Sequence, residues 1–325
     1  MRKTLLLALA CMPVLAYGQA QTELQSRQPA PEPRPEPTLN APQDLSDLSG
    51  PPKLGIHWAR GFEPAARVSE AALQPEARAR RSPNMTYHGG KIMPSSVTKA
   101  IFWGTSWASY SGDKITGMDS WYTGFSNSNY AKTSDEYTGT NGEVGPMVTH
   151  GGHVVDTTAS AGGGNTTTIL NEVCKVITNP DPSGNGYYAV YADTPRGNAG
   201  YCAYHSAGTC HGVAVQFAYF FKLDGDAGCD PADTSGLHSQ GLAAIANVSG
   251  HELSEARSDP ASPGAWYDSS GQENGDKCAW TFGAPLVTFS NGTEWKIQGE
   301  WSNAAYTAGT GYPNSSGQKG CLAGN

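Results

Sequence analysis

The chain predicts a layered α/β or α+β domain on a mixed β-sheet, with a buried motif-bearing helix and disulfide-tied loops, after a disordered Pro-rich N-terminal segment. Three observations carry this expectation. Compact β-branched and aromatic runs interleave with amphipathic helical patterns through residues 84–325, as layered folds require. Six cysteines, Cys174, Cys202, Cys210, Cys229, Cys278 and Cys321, occur without close CxxC pairs and read as up to three disulfides, among 15 pairings open to six cysteines. Residues 21–50 contain "APEPRPEP" and almost no aromatic or β-branched side chains, too little apolar surface to offset the entropy of ordering.

Taken in order, residues 1–20, "MRKTLLLALACMPVLAYGQA", have the basic start, apolar centre and small residues before a cut that mark a secretory signal peptide. Cys11 within "ALAC" makes a poor lipidation box. Residues 21–83 read as a Pro-rich linker or pro-segment, and Arg78, Arg80 and Arg81 form a basic run within reach of an exported processing protease. The globular domain is then residues 84–325. Strands are expected at "TKAIFWG", "GYYAVYAD" and "GVAVQFAYFF", and a type I′ hairpin at Asn291-Gly292 in "PLVTFSNGTEWKIQ". One helix follows the stripe Ile169, Leu170, Val173, Val176 and Ile177. A second runs from an N-cap at Thr234 or Ser235 through Leu237, Leu242, Ile245 and Leu253 and stops at Asp259-Pro260, because a residue before proline leaves the α region.

Charge narrows the partners. Residues 84–325 hold 11 basic and 21 acidic residues, which disfavours nucleic acid and anionic membranes and favours a cation. No stretch after the leader approaches the roughly 20 apolar residues of a membrane span. The domain is therefore expected to be secreted and extracellular, without stable membrane insertion.

The second helix carries "SGHELSEARSDP", residues 249–260. Positions i and i+4 share a helix face, so His251 and Glu255 can converge on one ion, while Glu252 occupies the general-base position of the related H-E-x-x-H zinc signature. An oxygen ligand in place of a second histidine suits zinc and widens the choice of cation. A further ligand is expected from the acidic loop that follows, Glu273 or Asp276 first and then Asp259, with Cys278 anchoring the loop. Gly250 is expected to let another backbone approach the helix. His205, beside Cys202, is either an added nitrogen donor or a hydrogen-bonded structural histidine; His150 and His153 read as turn or core residues. No G-x-S-x-G elbow or P-loop lysine is present.

The blocks "MTYHGGKIMPSSVTKAIFWG", "YCAYHS" and "HELSEARSDP" through "AWYD" to "ENGDKCAW" resemble the phosphate-induced protein 1, or exordium-like, family, and more closely its microbial branch, over most of residues 84–325. The resemblance implies a secreted, cell-wall or extracellular protein, linked in plants to growth responses; it fixes no reaction. The residues themselves point to a zinc-dependent, peptidase-like hydrolase acting on an extracellular protein or polysaccharide. The alternative is a non-catalytic extracellular or cell-wall-associated binding protein, in which Asp268, Glu273 and Asp276 form a structural calcium site.

Overall fold

The computed structural model describes residues 50–63 and 82–325; the leader, most of the Pro-rich segment and the basic run lie outside the described residues. A six-stranded sheet forms the centre, from β1 (Gly55–Trp58), β2 (Ser96–Trp103), β3 (Val148–Asp156), β4 (Gly186–Pro195), β5 (Tyr201–Cys210) and β6 (Val213–Lys222), in the order β1-β5-β6-β4-β2-β3. Strands β3, β2, β4 and β6 run parallel, while β5 is antiparallel to β6 and β1 to β5. The sheet is mixed, as its sequence predicts. Parallel strands covered on both faces need continuous apolar runs, and Ala100–Trp103, Tyr187–Ala192 and Val215–Phe221 are buried without a break.

Strand β1 comes from the segment that composition groups with the linker. It is the edge of the sheet, with Gly55 opposite His205 and His57 opposite Ala203. Four residues are too short an alternation to stand out beside a Pro-rich stretch, and the strand is held by its pairing to β5.

Helices cover both faces. Helix α1 (Lys114–Phe125) and helix α3 (Gln240–Ser258) pack on each other and on the sheet. Helix α2 (Thr166–Val176), capped by Asn165 accepting from the Thr168 N–H at 2.9 Å, lies on the opposite face. Along β5, His205 points to α3, and Gly208, three residues on, leaves room for Leu170 of α2, since alternate residues face opposite sides. Helix α3 starts later than its apolar pattern suggests. Gly236 adopts φ 76°, Leu237 stays 55% exposed outside the helix, and Ser239 is the N-cap, its Oγ accepting from the Leu242 N–H at 3.2 Å. Every residue from Gly241 to Ser258 is buried, and the helix ends before Pro260 as expected.

The hairpin after Pro285 forms with a different turn. Val287–Thr288 pairs with Glu294–Trp295, the Gly292 N–H donates to Phe289 O, and among the turn residues only Gly292 has positive φ, at 82°. Type I′ needs positive φ at both central positions; this is a type I turn closed by a left-handed glycine. A short helix α4 (Asn303–Ala308) and a satellite core of Met85, Ile92, Tyr137, Trp301 and the Cys278–Cys321 disulfide complete the unit.

The other disulfides are Cys174–Cys210, joining α2 to β5, and Cys202–Cys229. Among the described residues no helix is long and apolar enough to cross a membrane. The Cys278–Cys321 bridge spans 43 residues and closes the acidic loop. Replacing both cysteines with serine should cost about 3–4 kcal/mol by loop-closure entropy, read as a lower denaturant midpoint with a somewhat steeper slope, because the unfolded chain without the bridge exposes more surface.

Candidate metal centre

Four pieces of chain meet at the last turns of α3. The helix itself presents His251, Glu252 and Glu255, with His251 Nε2 3.0 Å from Glu255 Oε1, the contact that i,i+4 spacing predicts. The loop of residues 268–278 folds back over this face. Its Asp276 N–H donates to Glu255 Oε1 at 3.0 Å, and Asp276 Oδ1 lies 3.8 Å from His251 Nε2. Strand β5 brings His205, whose Nε2 is 3.7 Å from Glu273 Oε2. Strand β1 adds His57, whose backbone N–H donates to Glu252 Oε1 at 3.2 Å and whose ring lies 4.3 Å from that of His251.

Two sets of donor atoms are each drawn within 4.8 Å of one another: His251, Glu255 and Asp276 in one, His205, Glu252 and Glu255 in the other. Glu255 belongs to both. Two glycines make the closure feasible. A Cβ on Gly55 would lie 2.1 Å from Glu255 Oε2 and 3.0 Å from His205 Cε1, and one on Gly275 would lie 2.8 Å from His251 Nδ1 and 3.0 Å from Glu255 Oε1. Backbone therefore presses on Glu255 from both sides, and His251, Glu252, Glu255 and Glu273 have no exposure to solvent.

Gln298 links the two rings of His57 and His251. Its Oε1 accepts from the Trp280 N–H at 3.2 Å and its Nε2 donates to Gly275 O at 3.0 Å, so two backbone groups set the amide's orientation. In that orientation Oε1 takes the His57 Nε2 proton and Nε2 donates to His251 Nδ1, leaving the His251 ring proton on Nε2, toward Glu255.

Burial dominates the electrostatics. It pushes the Glu252 carboxyl well above the usual range, helped by the neighbouring Glu255 charge, and does the same to Asp276, again with Glu255, and to Glu300. It lowers His251 to about 3 and His57 well below the ordinary imidazole value. Burial favours the neutral form of both types of group, which raises the carboxyls and lowers the histidines together. Glu252 Oε2 is buried with no hydrogen-bond partner, as is one oxygen of Glu300, whose other oxygen takes the Tyr130 hydroxyl at 2.6 Å. Arg257, fully buried, is held by Ala131 O and Gly145 O, lies 3.8 Å from Asp135 Oδ1 and interacts more weakly with the Glu300 charge.

Of the residues the motif singles out, His251, Glu252, Glu255, Glu273 and Asp276 come together. Asp259 belongs to neither donor set: it ends the helix, and its Oδ1 accepts from the Ala265 N–H at 2.7 Å, closing the turn to the loop. Asp268 is engaged by Lys277 at 2.7 Å and by the Ser270 and Gln272 N–H groups, so the three acids proposed for a calcium loop are divided between two environments. What approaches Gly250 is the Tyr130 hydroxyl, 2.8 Å from where a Cβ would sit, not a backbone. His150 and His153 both bind Asp119, at 2.9 and 2.6 Å, and tie β3 to α1. His57, Gln298 and Glu300 carry no local motif in "GIHW" and "KIQGE"; pairing of β1 and return of the chain after the hairpin bring them in. A surface cavity of about 490 Å³ beside Asn129, Lys132, Tyr312 and Ala323 contains none of the donors.

Compared with known proteins, the chain matches no family model, no curated sequence and no solved structure.

Two outcomes follow from this geometry. The raised carboxyls bind protons in the fold that they release when unfolded, so in chelator the stability they contribute is full below their ordinary range near 4.5 and lost as pH rises toward their folded values. The lowered histidines act oppositely, costing stability below about 6.5. Above that pH only the carboxyl slope remains: the melting temperature of the chelated protein should fall from pH 6.5 to 9, and added zinc should flatten the fall. Gly55→Ala should cost about 1–3 kcal/mol by overpacking against Glu255, measured by denaturant unfolding.

Proposed function

We propose that this cluster is the centre of an exported, zinc-dependent, peptidase-like hydrolase. The carrying observation is the fully buried Glu252, one oxygen tied to the His57 N–H and the other without a hydrogen-bond partner, in a pocket where histidine and carboxylate donors converge around Glu255. A buried carboxyl oxygen with nothing to bind is costly, and a cation beside it removes the cost. Histidine with carboxylate is a donor set that zinc accepts.

His251, Glu255 and Asp276 hold the cation. Bound there, zinc supplies Lewis acidity that makes a water a usable nucleophile near neutral pH. Glu252 takes the proton from that water on its Oε2, which has no other hydrogen-bond partner. To ligate through Nε2, His251 moves its ring proton to Nδ1, and the Gln298 amide must then give up the Trp280 N–H and Gly275 O contacts that hold its present orientation, a cost the cation has to offset. The loop of 268–278 and β1 cover the donors, so a polymeric substrate, extracellular protein or polysaccharide, requires one of them to move aside. Export is supported by the signal-peptide pattern, by three disulfides that suit an oxidising compartment, and by the exordium-like resemblance.

Complete burial favours a second reading: a permanently held cation that fastens α3 to β5 and the acidic loop in a non-catalytic extracellular or cell-wall binding protein. The histidine donors suit zinc for that role better than calcium, which takes oxygen ligands. Metal analysis of the purified chain before and after chelation, with casein hydrolysis by wild type and Glu252→Gln, separates the two. The hydrolase reading expects zinc in the protein and an activity that falls about 100-fold or more in the variant. Zinc without hydrolysis, accompanied by a large loss of melting temperature on chelation, establishes the structural role.

A further inference from the structure

We infer that strand β1 lies in the place of the substrate, an extended peptide that adds to the edge of β5. Residues 51–60 are then a self-supplied occupant that must leave before the site can act. The inference rests on the hydrolase reading above and deepens it, choosing polypeptide over polysaccharide and β1 over the acidic loop as the cover that moves.

The strand is gripped by its main chain. Thr166 Oγ1 donates to Pro51 O at 2.5 Å and Ser206 Oγ to Pro52 O at 2.7 Å. The Leu54 N–H donates to His205 O and the Ala59 N–H to Gly200 O, both at 2.9 Å. Helix α3 and the chain after the acidic loop complete the grip: the His57 N–H donates to Glu252 Oε1 at 3.2 Å, and Trp58 O accepts from the Trp280 indole N–H at 2.9 Å. These groups read backbone, which any extended peptide offers, and strand-addition sites bind in this way. A sugar polymer has no such alternation of amide donors and carbonyl acceptors.

Side chains add little. The two buried positions of β1 are Gly55 and His57, and the buried apolar residues beside it, Leu54 and Ala59, sit just outside the strand. Gly55 passes where a Cβ would lie 2.1 Å from Glu255 Oε2. The His57 ring fills a slot between His251, at 4.3 Å, and Trp280, at 4.5 Å, with Nε2 on Gln298 and Nδ1 without a partner. A strand buried for stability brings branched or aromatic mass to such positions. Here a glycine and an imidazole are laid against the motif residues, as a small residue and a planar side chain are presented to a cleft. Release of β1 takes the His57 N–H from Glu252 and uncovers His251, and it leaves β2 to β6 paired with one another. Covalent attachment holds the strand at high effective concentration, so the cleft stays filled until the chain between β1 and β2 is cut.

The test uses the full chain, loaded with Zn²⁺ and carrying a site for a sequence-specific protease inserted between residues 63 and 82. After cutting and dilution the N-terminal piece should separate on gel filtration while circular dichroism of the remainder is kept. A labelled peptide of residues 50–63 should rebind, casein-derived peptides but not oligosaccharides should displace it, and Gly55→Ala in the peptide should weaken it about tenfold or more. Casein hydrolysis should rise about tenfold or more on cutting and fall again when the peptide is added. In the uncut chain, the Leu54, His57 and Ala59 amides should exchange with solvent before those of the β5–β6 pair. A piece that stays bound through dilution, a remainder that unfolds without it, or protection equal to that of β5–β6 makes β1 a permanent strand and overturns the inference, as does hydrolysis unchanged by cutting. Displacement by oligosaccharide and not by casein peptides overturns the substrate class. Release, rebinding and displacement by casein peptides with no hydrolysis overturn the hydrolase reading and leave the peptide site standing.

Discussion

Helix α3 crosses the middle of the domain with all its residues after Gln240 out of solvent, yet its last turns carry Asn247, Ser249, His251, Glu252, Ser254, Glu255, Arg257 and Ser258. A buried polar side chain must find a partner or lose several kcal/mol. Much of the surrounding architecture can be understood as supplying those partners. Tyr191 reaches Ser249 from β4, the backbone of Gln298 donates to Asn247, β1 donates to Glu252, and the acidic loop donates to Glu255. The helix has no polar face turned to water, so its charges are resolved inside the protein.

That resolution is incomplete with side chains alone. Arg257 is spread over Ala131 O and Gly145 O with Asp135 Oδ1 3.8 Å away, and the histidines are pressed toward neutrality by the same burial that drives protons onto the acids. In the proposed metal centre, protons and a divalent cation would compete for one set of oxygens. The helix and loop that carry the donors are fixed by a disulfide at Cys278 and by glycines at positions 55 and 275, which set how closely backbone approaches Glu255. Rigidity of this kind favours a defined coordination geometry over a diffuse acidic patch.

The HELSE stretch was legible because a helix repeats its face every three to four residues, so two donors on one turn imply a shared direction. Glu273 and Asp276 were legible more weakly, as acids in a loop short enough to return. Helix α1 had a readable stripe in Met118, Trp121, Tyr122 and Phe125, but Gly117, Gly124 and the aromatic content argue locally for loop or strand, and packing against α3 overrides them. The late start of α3 follows from the same limit: Leu237 continues the apolar stripe on paper, while Gly236 turns the chain and leaves it outside.

By itself the sequence determined the mixed layered architecture, the helix that carries the motif and the presence of paired cysteines, since each follows from periodicity or composition over neighbouring residues. Only the tertiary structure decided which cysteines pair, that a strand near residue 55 joins the sheet, and that His205, His57 and Gln298 reach the motif helix. Those contacts join residues 27 or more positions apart, and the energy of the non-covalent ones comes from strand pairing and from meeting buried polar groups, terms with no signature in any local window of the chain.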